Sequence, residues 1–342
     1  MTEPFWSGMT IAFLSGIFNG CFPLPMKYSR AWRWENTWVL FMLVSTVLLP
    51  LVLVSLFVPN LMRVYHEAAW RALLPPLIFG FLWGTAQVTI GLSFKAVGVA
   101  LAFAVVAGMN ALFGSLIPLL VLHPGDVFRP RGLLLLASMP ILFLGLWLYA
   151  QAGRRREKEQ PPPDSAAGAP KARFAKGLAL CIYTGLIGGS INLGFAFGGD
   201  VVGKSLSLGA SAVTSTYAVW LLVLWAGFIP SAIYCPYLLG RNRGWGLFTQ
   251  PGAAREALLA IAMALLWVTA IFAYGVGATM AGKYGTSLGY TLLVAVTIVA
   301  STMVGVLTGE WKGTSGETRK VLFWGMAIVL ASVIILNLGG LF

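Results

Sequence analysis

The sequence of 342 residues is strongly apolar: 58% of the residues are hydrophobic, only 10% are charged, and the mean hydropathy is +0.83. Soluble domains carry about 25% charged residues and cannot bury this much apolar surface. The formal net charge of +12 does not indicate a nucleic-acid partner, because the basic residues are spread over short segments between apolar runs. The composition therefore predicts a protein embedded in a lipid bilayer.

Ten runs of the sequence are long enough to cross a hydrocarbon core of ~30 Å, which takes about 20 mostly apolar residues. Numbered as spans one to ten, they cover residues 7–27, 36–58, 72–94, 98–121, 132–151, 175–198, 209–239, 255–279, 285–309 and 320–341. Strands of a membrane β-barrel would instead show short alternating segments. The sequence therefore predicts an all-α membrane protein with ten transmembrane helices. The first span is too long for a cleaved signal peptide and follows the acidic Glu3, so we expect it to be retained.

The Lys and Arg residues are distributed unevenly between the loops. Seventeen of the 23 lie in or beside the loops that follow spans one, three, five, seven and nine, and six lie elsewhere. An excess of Lys and Arg marks the cytoplasmic loops of inner-membrane proteins. The bias therefore predicts a bacterial inner-membrane protein with both termini in the periplasm and its long central loop in the cytoplasm.

The long central loop, residues 152–175, divides the chain into residues 1–151 and 176–342, with five spans each. It begins with three arginines, Arg154 to Arg156, and continues through three prolines into an Ala/Gly/Pro stretch, which is typical of a disordered linker. Because each half has an odd number of spans, the second half must be inverted relative to the first. The predicted organisation is two inverted five-helix repeats joined by a cytoplasmic linker.

Matching residues in the two halves support a duplication. The matches are segment 15–20 with 184–189, segment 82–86 with 266–270, and Asn110 with Thr297. Trp83 and Trp267 are equivalent in the second of these matches. Each match is weak alone, but their common order favours an internal repeat.

Glycines four residues apart recur in the spans. The pairs are Gly16/Gly20, Gly80/Gly84, Gly185/Gly189 and Gly305/Gly309. Such pairs allow two membrane helices to approach closely, so we interpret them first as packing features. A role as hinges between the halves remains an alternative.

Residues Gly198 to Ser205 fit the phosphate-binding loop pattern letter for letter. That pattern works only between a strand and a helix of a parallel sheet, which also supplies an acidic magnesium ligand. Here a membrane helix is predicted before the pattern, and the loop is predicted to be periplasmic. We therefore expect no ATP partner and interpret the segment as a Gly-rich connection.

The residues of the chain do not indicate an enzyme. Their spacing supports no Ser/His/Asp arrangement, and both histidines, His66 and His123, lie in predicted loops. The cysteines Cys21, Cys181 and Cys235 have no paired spacing that would indicate a disulfide or a metal site. The sequence therefore predicts no catalytic residue, no cofactor and no metal.

The centres of several spans carry uncharged polar and aromatic residues. Amides at these depths should face the bundle interior, because contact with lipid would be costly. Large rings beside amides and hydroxyls suit a polar solute with apolar faces, such as a sugar. We predict a substrate site lined by Asn19, Trp83, Gln87, Asn110, Asn192, Trp267 and Tyr274. Hydrogen bonding between helices and ordinary core packing remain alternatives for each residue.

Tryptophans near span ends, among them Trp34 and Trp38, are assigned to the interfacial aromatic belt.

Two carboxylates lie beside a tryptophan at the predicted cytoplasmic mouth, Glu35 and Glu310, with Lys27 near in sequence. The interpretation favoured by the sequence is that they are interfacial charges that anchor helices. The alternative is a gating or proton-coupling role for Glu35, Lys27 and Glu310, since ionisable groups in membrane proteins mark ion pathways and proton relays. Under the favoured interpretation, active accumulation of substrate survives the substitution Glu35→Gln.

Several residues of the first half and of the carboxy-terminal part resemble a known family, the L-rhamnose/proton symporter family of the drug/metabolite transporter superfamily. The resemblance rests on Cys21-Phe22, Pro25, Lys27, Trp32, Trp34-Glu35, Trp38, Leu49-Pro50, Pro59-Asn60, Leu74-Pro75, Phe79-Gly80, Trp83-Gly84, Gly91-Leu92, Gly98, Gly108, Gly114, Val304-Gly305 and Glu310-Trp311.

The family resemblance implies ten helices, alternating access and uptake of L-rhamnose or a related deoxysugar, with protons as the coupling ion. One alternative is an exporter of metabolites, amino acids or drugs on the same fold, since fold does not fix substrate or direction. A membrane receptor or scaffold without transport is another.

Overall fold

The computed structural model describes residues 3–97, 99–160 and 171–338, and every regular element in these residues is a helix. The α-helices, in chain order, are α1 Glu3–Cys21, α2 Trp34–Met42, α3 Leu49–Phe57, α4 Leu61–Glu67, α5 Trp70–Val97, α6 Val99–Leu122, α7 Pro130–Glu159, α8 Lys171–Gly188, α9 Ser190–Ala196, α10 Gly199–Ser207, α11 Tyr217–Arg241, α12 Ala253–Met280, α13 Tyr290–Leu307 and α14 Gly316–Leu338.

Nine helical regions of the described chain are long and apolar enough to cross a membrane. They coincide with predicted spans one to nine, so the all-α membrane class is confirmed. The last helix, α14, overlaps predicted span ten, of which residues 339–341 lie outside the described part. The total of ten spans therefore stays a prediction.

Spans two and six are interrupted where the sequence places proline or glycine. Span two contains a π-helical turn, Leu43–Leu48, between α2 and α3, because Pro50 has no N–H with which to continue the α-helical pattern. Span six is divided into α8, α9 and α10, with breaks at Gly189 and at Gly198. The prediction of one continuous helix over residues 175–198 is wrong for this reason, since glycine weakens a helix interior.

The predicted linker 152–175 is helical at both ends. Helix α7 continues to Glu159, because the Arg, Glu and Lys residues after the apolar run are good helix formers. The Glu159 carboxylate accepts hydrogen bonds from the Ser315 backbone N–H, at 2.7 Å, and from the Thr318 hydroxyl, at 2.7 Å, and so caps the start of α14. Residues 161–170, with the predicted proline run, lie outside the described residues.

Helices of one predicted half pack mainly on helices of the other. Helix α1 packs on α12 and α13, α8 packs on α5 and α6, α5 packs on α11, and α7 packs on α14. A Cβ on Gly145 of α7 would lie 2.6 Å from the Val329 side chain of α14, so this last pair is also in close contact.

Three of the four glycine pairs lie where two helices meet. A Cβ atom would lie 2.9 Å from the Leu293 carbonyl oxygen if built on Gly16, and 2.8 Å from that of Val106 if built on Gly185. On Gly84 it would lie 2.2 Å from the Gly227 carbonyl oxygen. These positions exclude any side chain, so the packing interpretation is confirmed for these pairs.

The fourth glycine pair is different. Gly309 has φ +83 and lies in the turn after α13, where only glycine is unstrained. A Cβ on Gly305 would lie 2.9 Å from the Glu310 carboxylate rather than from another helix backbone. The packing interpretation is wrong for this pair, because its glycines shape a turn and make room for a carboxylate.

The loops between spans contact one another in separate groups. Loops after odd-numbered spans are joined by Lys27 with Glu310 and by Asn36 with the Gly244 carbonyl oxygen. Loops after even-numbered spans are joined by Lys204 with Glu67 at 3.2 Å, and by an ion pair between Lys283 and Asp126. The observed contacts thus agree with an alternating path of the chain across the bilayer.

The contact at Gly84 predicts a loss of stability on substitution. Gly84→Ala forces α5 away from α11 and should lower the melting temperature of the purified protein in detergent, at a cost of about 1–3 kcal/mol. Gly203→Ala is the matched control, because a Cβ on Gly203 of α10 meets nothing within 4 Å. Equal melting temperatures for the two variants would show that this close approach does not stabilise the fold.

Candidate functional site

Trp83 and Trp267 stack face to face at the centre of the bundle. Their ring centroids are 5.5 Å apart and their planes differ by 13°. The side chains come from α5 and α12, and both are buried, with 4% and 7% of their surface exposed. Gly227 of α11 lies against the Trp83 ring, where a Cβ would approach to 2.5 Å. The two tryptophans that the repeat made equivalent are therefore in direct contact.

An aromatic row continues from this stack toward the start of α2. Trp267 meets Phe41 edge-on at 6.1 Å, Phe41 meets Trp38 at 5.1 Å, and Trp38 stacks on Trp34 at 5.2 Å. Trp38 is only 8% exposed, and its indole N–H has no acceptor among the described residues. The assignment of Trp38 to the interfacial belt is wrong, because its side chain is buried in the hydrophobic core. The burial of Trp38 is indicated in the sequence by Trp34, four residues before it, and Phe41, three residues after it, because these spacings place the three rings on one helix face.

Asn192 and Tyr274 form a buried polar centre between helices. The Asn192 amide donates to the carbonyl oxygens of Gly114, at 2.5 Å, and Thr286, at 2.7 Å, and its carbonyl oxygen accepts the Tyr274 hydroxyl. Both amide hydrogens and the amide oxygen are thus occupied by protein groups. In this conformation Asn192 joins α9, α6 and the segment before α13.

Asn110 and Asn19 also hydrogen-bond to other helices. The Tyr290 hydroxyl donates to the Asn110 carbonyl oxygen at 2.6 Å, and the Tyr290 ring lies 5.8 Å from that of Tyr274. Asn110 is thereby linked to the Asn192 centre. Asn19 donates to the Thr297 hydroxyl at 3.0 Å. Hydrogen bonding between helices, the alternative left open by the sequence, is observed for all three asparagines.

Gln87 differs from the asparagines. It lies one helical turn after Trp83 and is half-buried, and no hydrogen bond ties its amide to another described residue. An unengaged amide next to a tryptophan pair is available to a polar solute. Tyr274 lies two turns after Trp267 on α12, about 10 Å along the axis. The predicted site residues therefore form two adjoining groups, the tryptophans with Gln87 and the Asn192 centre, while Asn19 bonds elsewhere.

Glu310 and Lys27 pair at the end of the molecule formed by the odd-numbered loops. The Glu310 carboxylate pairs with Lys27 and lies 3.5 Å from Arg156, whose guanidinium is 5.2 Å from the centre of the Trp311 ring. Lys27 also donates to the Thr308 hydroxyl at 2.7 Å. This Glu310 cluster joins the ends of α1, α7 and α13.

Glu35 is buried, with only 6% of its surface exposed. It accepts a hydrogen bond from the Asn242 amide at 2.8 Å, and none of the ion pairs among the described residues includes it. The favoured interpretation of Glu35 as an interfacial anchoring charge was based on surface ion pairing, whereas Glu35 lies under the loop after span seven and bonds to Asn242. That loop is far away in sequence, so no local pattern indicated the burial.

The segment that fits the phosphate-loop pattern has a different geometry. Residues Gly199–Ser207 form helix α10, and a helix precedes them rather than a strand. The Lys204 ammonium lies 3.2 Å from Glu67, which also pairs with Arg63 at 2.9 Å. Hydrogen bonds donated to the carboxylate by Arg63 and then by Lys204 lower the pKa of Glu67. The segment thus serves as a helical connection held by an ion pair.

Comparison with known proteins gives one consistent result. The sequence model of the L-rhamnose-proton symport protein family matches residues 2–341. An L-rhamnose-proton symporter of Pectobacterium atrosepticum is 24% identical over 349 residues, which cover 99% of this chain and 99% of the relative. An L-rhamnose-proton symporter of Escherichia coli and one of Shigella boydii are each 21% identical over 346 residues, covering 97% of this chain and 99% of the relative. The resemblance noted in the sequence is confirmed over nearly the whole chain.

The bonding of Asn192 predicts a structural role. Asn192→Ala leaves two buried carbonyl oxygens and a tyrosine hydroxyl without their partner, and should cost about 1–3 kcal/mol of stability. Gln87→Ala is the control, because no described residue loses a hydrogen bond. Thermal unfolding of both purified variants tests this, and an unchanged melting temperature for Asn192→Ala would contradict the role.

Proposed function

The chain belongs to the L-rhamnose-proton symport protein family, and on that premise we propose that it takes up L-rhamnose or a related deoxysugar across a bacterial inner membrane together with protons. The observation that carries the proposal is the match over residues 2–341. The named relatives are transporters, so the chain is a transporter and not an enzyme. The comparisons give no support to the exporter alternative.

The proposed architecture is ten spans in two inverted repeats, residues 1–151 and 176–342, with both termini periplasmic. Nine described helical regions are long and apolar enough to span, and α14 supplies the tenth. The contacts among the odd-numbered loops, which carry most of the Lys and Arg residues, support a common cytoplasmic side. In such an architecture the site between the repeats opens alternately to each side.

Equivalent contacts in the two halves support the inverted repeat. A Cβ built on Gly20 of α1 would lie 2.8 Å from the Thr297 carbonyl oxygen of α13, and one built on Gly189, just after α8, would lie 3.0 Å from the Asn110 carbonyl oxygen of α6. Gly20 matches Gly189 and Asn110 matches Thr297 in the sequence. Each half thus places its first span on the fourth span of the other half, at the same position.

The Trp83–Trp267 stack marks the proposed sugar site. Equivalent residues of two repeats touch only near the symmetry axis, where inverted-repeat transporters bind their substrates. L-rhamnose has apolar C–H groups and a methyl group that can lie on an indole face, and hydroxyls that can bond to the Gln87 amide. Because both rings are buried against each other, the sugar enters only after they separate, which makes the observed conformation a closed one.

Uptake of labelled L-rhamnose into proteoliposomes tests the substrate. We expect saturable uptake under an inward proton gradient, with weaker competition from L-mannose, which carries a hydroxyl in place of the deoxysugar hydrogen. Trp83→Ala should reduce uptake about tenfold because the ring face is lost. Trp324→Ala on α14, where the ring is 66% exposed, is the matched control. Uptake that is flat with concentration and insensitive to every competing sugar would refute the proposal.

The buried Glu35 is the carboxylate that best fits proton coupling. A coupling group must exist both charged and neutral during the cycle. The other buried carboxylates are tied by several partners: Glu256 accepts the Arg30 backbone N–H at 3.1 Å and the Ser29 hydroxyl, and Asp126 pairs with Lys283. Among the described residues, Glu35 hydrogen-bonds only to the Asn242 amide, which can donate to a neutral carboxyl as well as to a carboxylate.

A substitution that removes the charge of Glu35 tests coupling. Contrary to the expectation from the sequence, Glu35→Gln should prevent accumulation of the sugar against its gradient in proteoliposomes with an imposed pH difference. Exchange of labelled for unlabelled sugar should continue, because the amide keeps the size of the side chain. Glu317→Gln, at an exposed position, should behave like the unmodified chain. Normal accumulation by Glu35→Gln would remove Glu35 from the coupling mechanism.

A further inference from the structure

Asp126 is a buried carboxylate in the loop after span four. It ends the short 3-10 turn Pro124–Asp126 between α6 and α7, and only 5% of its surface is exposed. One carboxylate oxygen lies 3.3 Å from the Arg129 guanidinium, and the other pairs with the Lys283 ammonium. Lys283, followed by the Tyr284 hydroxyl, lowers the pKa of Asp126, so the carboxylate stays charged at neutral pH.

Lys283 lies in an irregular segment between α12 and α13. The segment begins with the 3-10 turn Gly282–Tyr284, where Gly282 has φ +73, and continues as the π-helical turn Gly285–Gly289. The Lys283 ammonium is 5.5 Å from the centre of the Tyr284 ring, and that ring is 5.8 Å from His123 in the loop of Asp126. Irregular turns of this kind often mark hinges. The ion pair therefore holds a hinge segment onto the loop between α6 and α7.

The same hinge segment covers the Asn192 centre. The Thr286 carbonyl oxygen accepts the Asn192 amide at 2.7 Å and lies 3.5 Å from the Tyr274 hydroxyl. Ser287, the next residue, is 1% exposed, and its hydroxyl has no partner among the described residues. If this segment moved away from α6, the polar centre would become accessible from the end of the molecule that carries Asp126.

We propose that Asp126 and Lys283 form an ionic gate at the face opposite the Glu310 cluster, closing the path to the Asn192 centre. The inference rests on the proposed transport function. Asp126 and Glu310 lie in equivalent loops, after spans four and nine, and each carboxylate binds a lysine from another loop and an arginine. With the Asp126–Lys283 pair formed, the observed conformation is closed at this end.

The gate is tested by the reactivity of a cysteine behind it, which needs no transport assay. Ser287→Cys is placed in a full-length chain in which Cys21, Cys181 and Cys235 are alanine, and a membrane-impermeant sulfonated maleimide is added to spheroplasts. Adding Asp126→Asn should increase the labelling rate roughly fivefold or more, because the closed state loses its ion pair. Exchanging the charges, Asp126→Lys with Lys283→Asp, should restore slow labelling.

Two controls make the outcome specific. Glu67→Gln breaks another ion pair of the even-numbered loops without touching the hinge, and should leave the labelling rate unchanged. Lys283→Met removes the pair from its other side and should act like Asp126→Asn, so the gate can be tested even if one variant does not fold. Equal labelling of the parent, Asp126→Asn and Lys283→Met would overturn the gate. If the labelling responds as expected but the protein does not transport rhamnose, the result would count against the proposed function alone.

Discussion

Two apolar helices in a bilayer gain little by leaving lipid for each other, so their association depends on close packing and on hydrogen bonds between helices. The contacts of this chain follow that constraint. Gly84 meets the Gly227 backbone, and Gly185 meets that of Val106, where no side chain would fit. The stacked tryptophans and the bonds of Asn192 lie at the interfaces that these approaches create. A helix that moved outward at one glycine would therefore also separate the aromatic and amide contacts beside it.

The sequence predicts those features of the structure that depend on local composition. Apolar run length locates nine helical regions, and repeat matching makes Trp83 equivalent to Trp267, with which it stacks. The burial of Glu35 was missed, because it is created by Asn242 in a loop that folds back across the structure. Single residues likewise give no indication of which amides are engaged: Asn192 is hydrogen-bonded through both amide hydrogens and its oxygen, whereas Gln87 makes no hydrogen bond to another described residue.

The bonds made by the asparagines have a consequence for the proposed binding of a sugar. A hydroxyl that displaces the Tyr290 hydroxyl from the Asn110 amide oxygen exchanges one hydrogen bond, observed at 2.6 Å, for another. Exchange of one hydrogen bond for another yields little net free energy, whereas a displaced group left unpaired is costly. Such a centre favours solutes whose hydroxyls match every bond that they replace. Such a centre would then discriminate strongly between similar sugars while binding each of them only weakly.

The extension of α7 to Glu159 restricts which parts of the molecule can move. Its last turn caps the start of α14 through Ser315 and Thr318, and glycines bring the two helices together along their length, with Gly145 and Gly325 in contact. The predicted fifth span and α14 are thus joined at their ends and at a glycine contact between them. If the halves move during the proposed transport cycle, rigid rotation of a complete half would break these contacts. A cycle that keeps them intact would instead move the remaining four-span bundles against this helix pair.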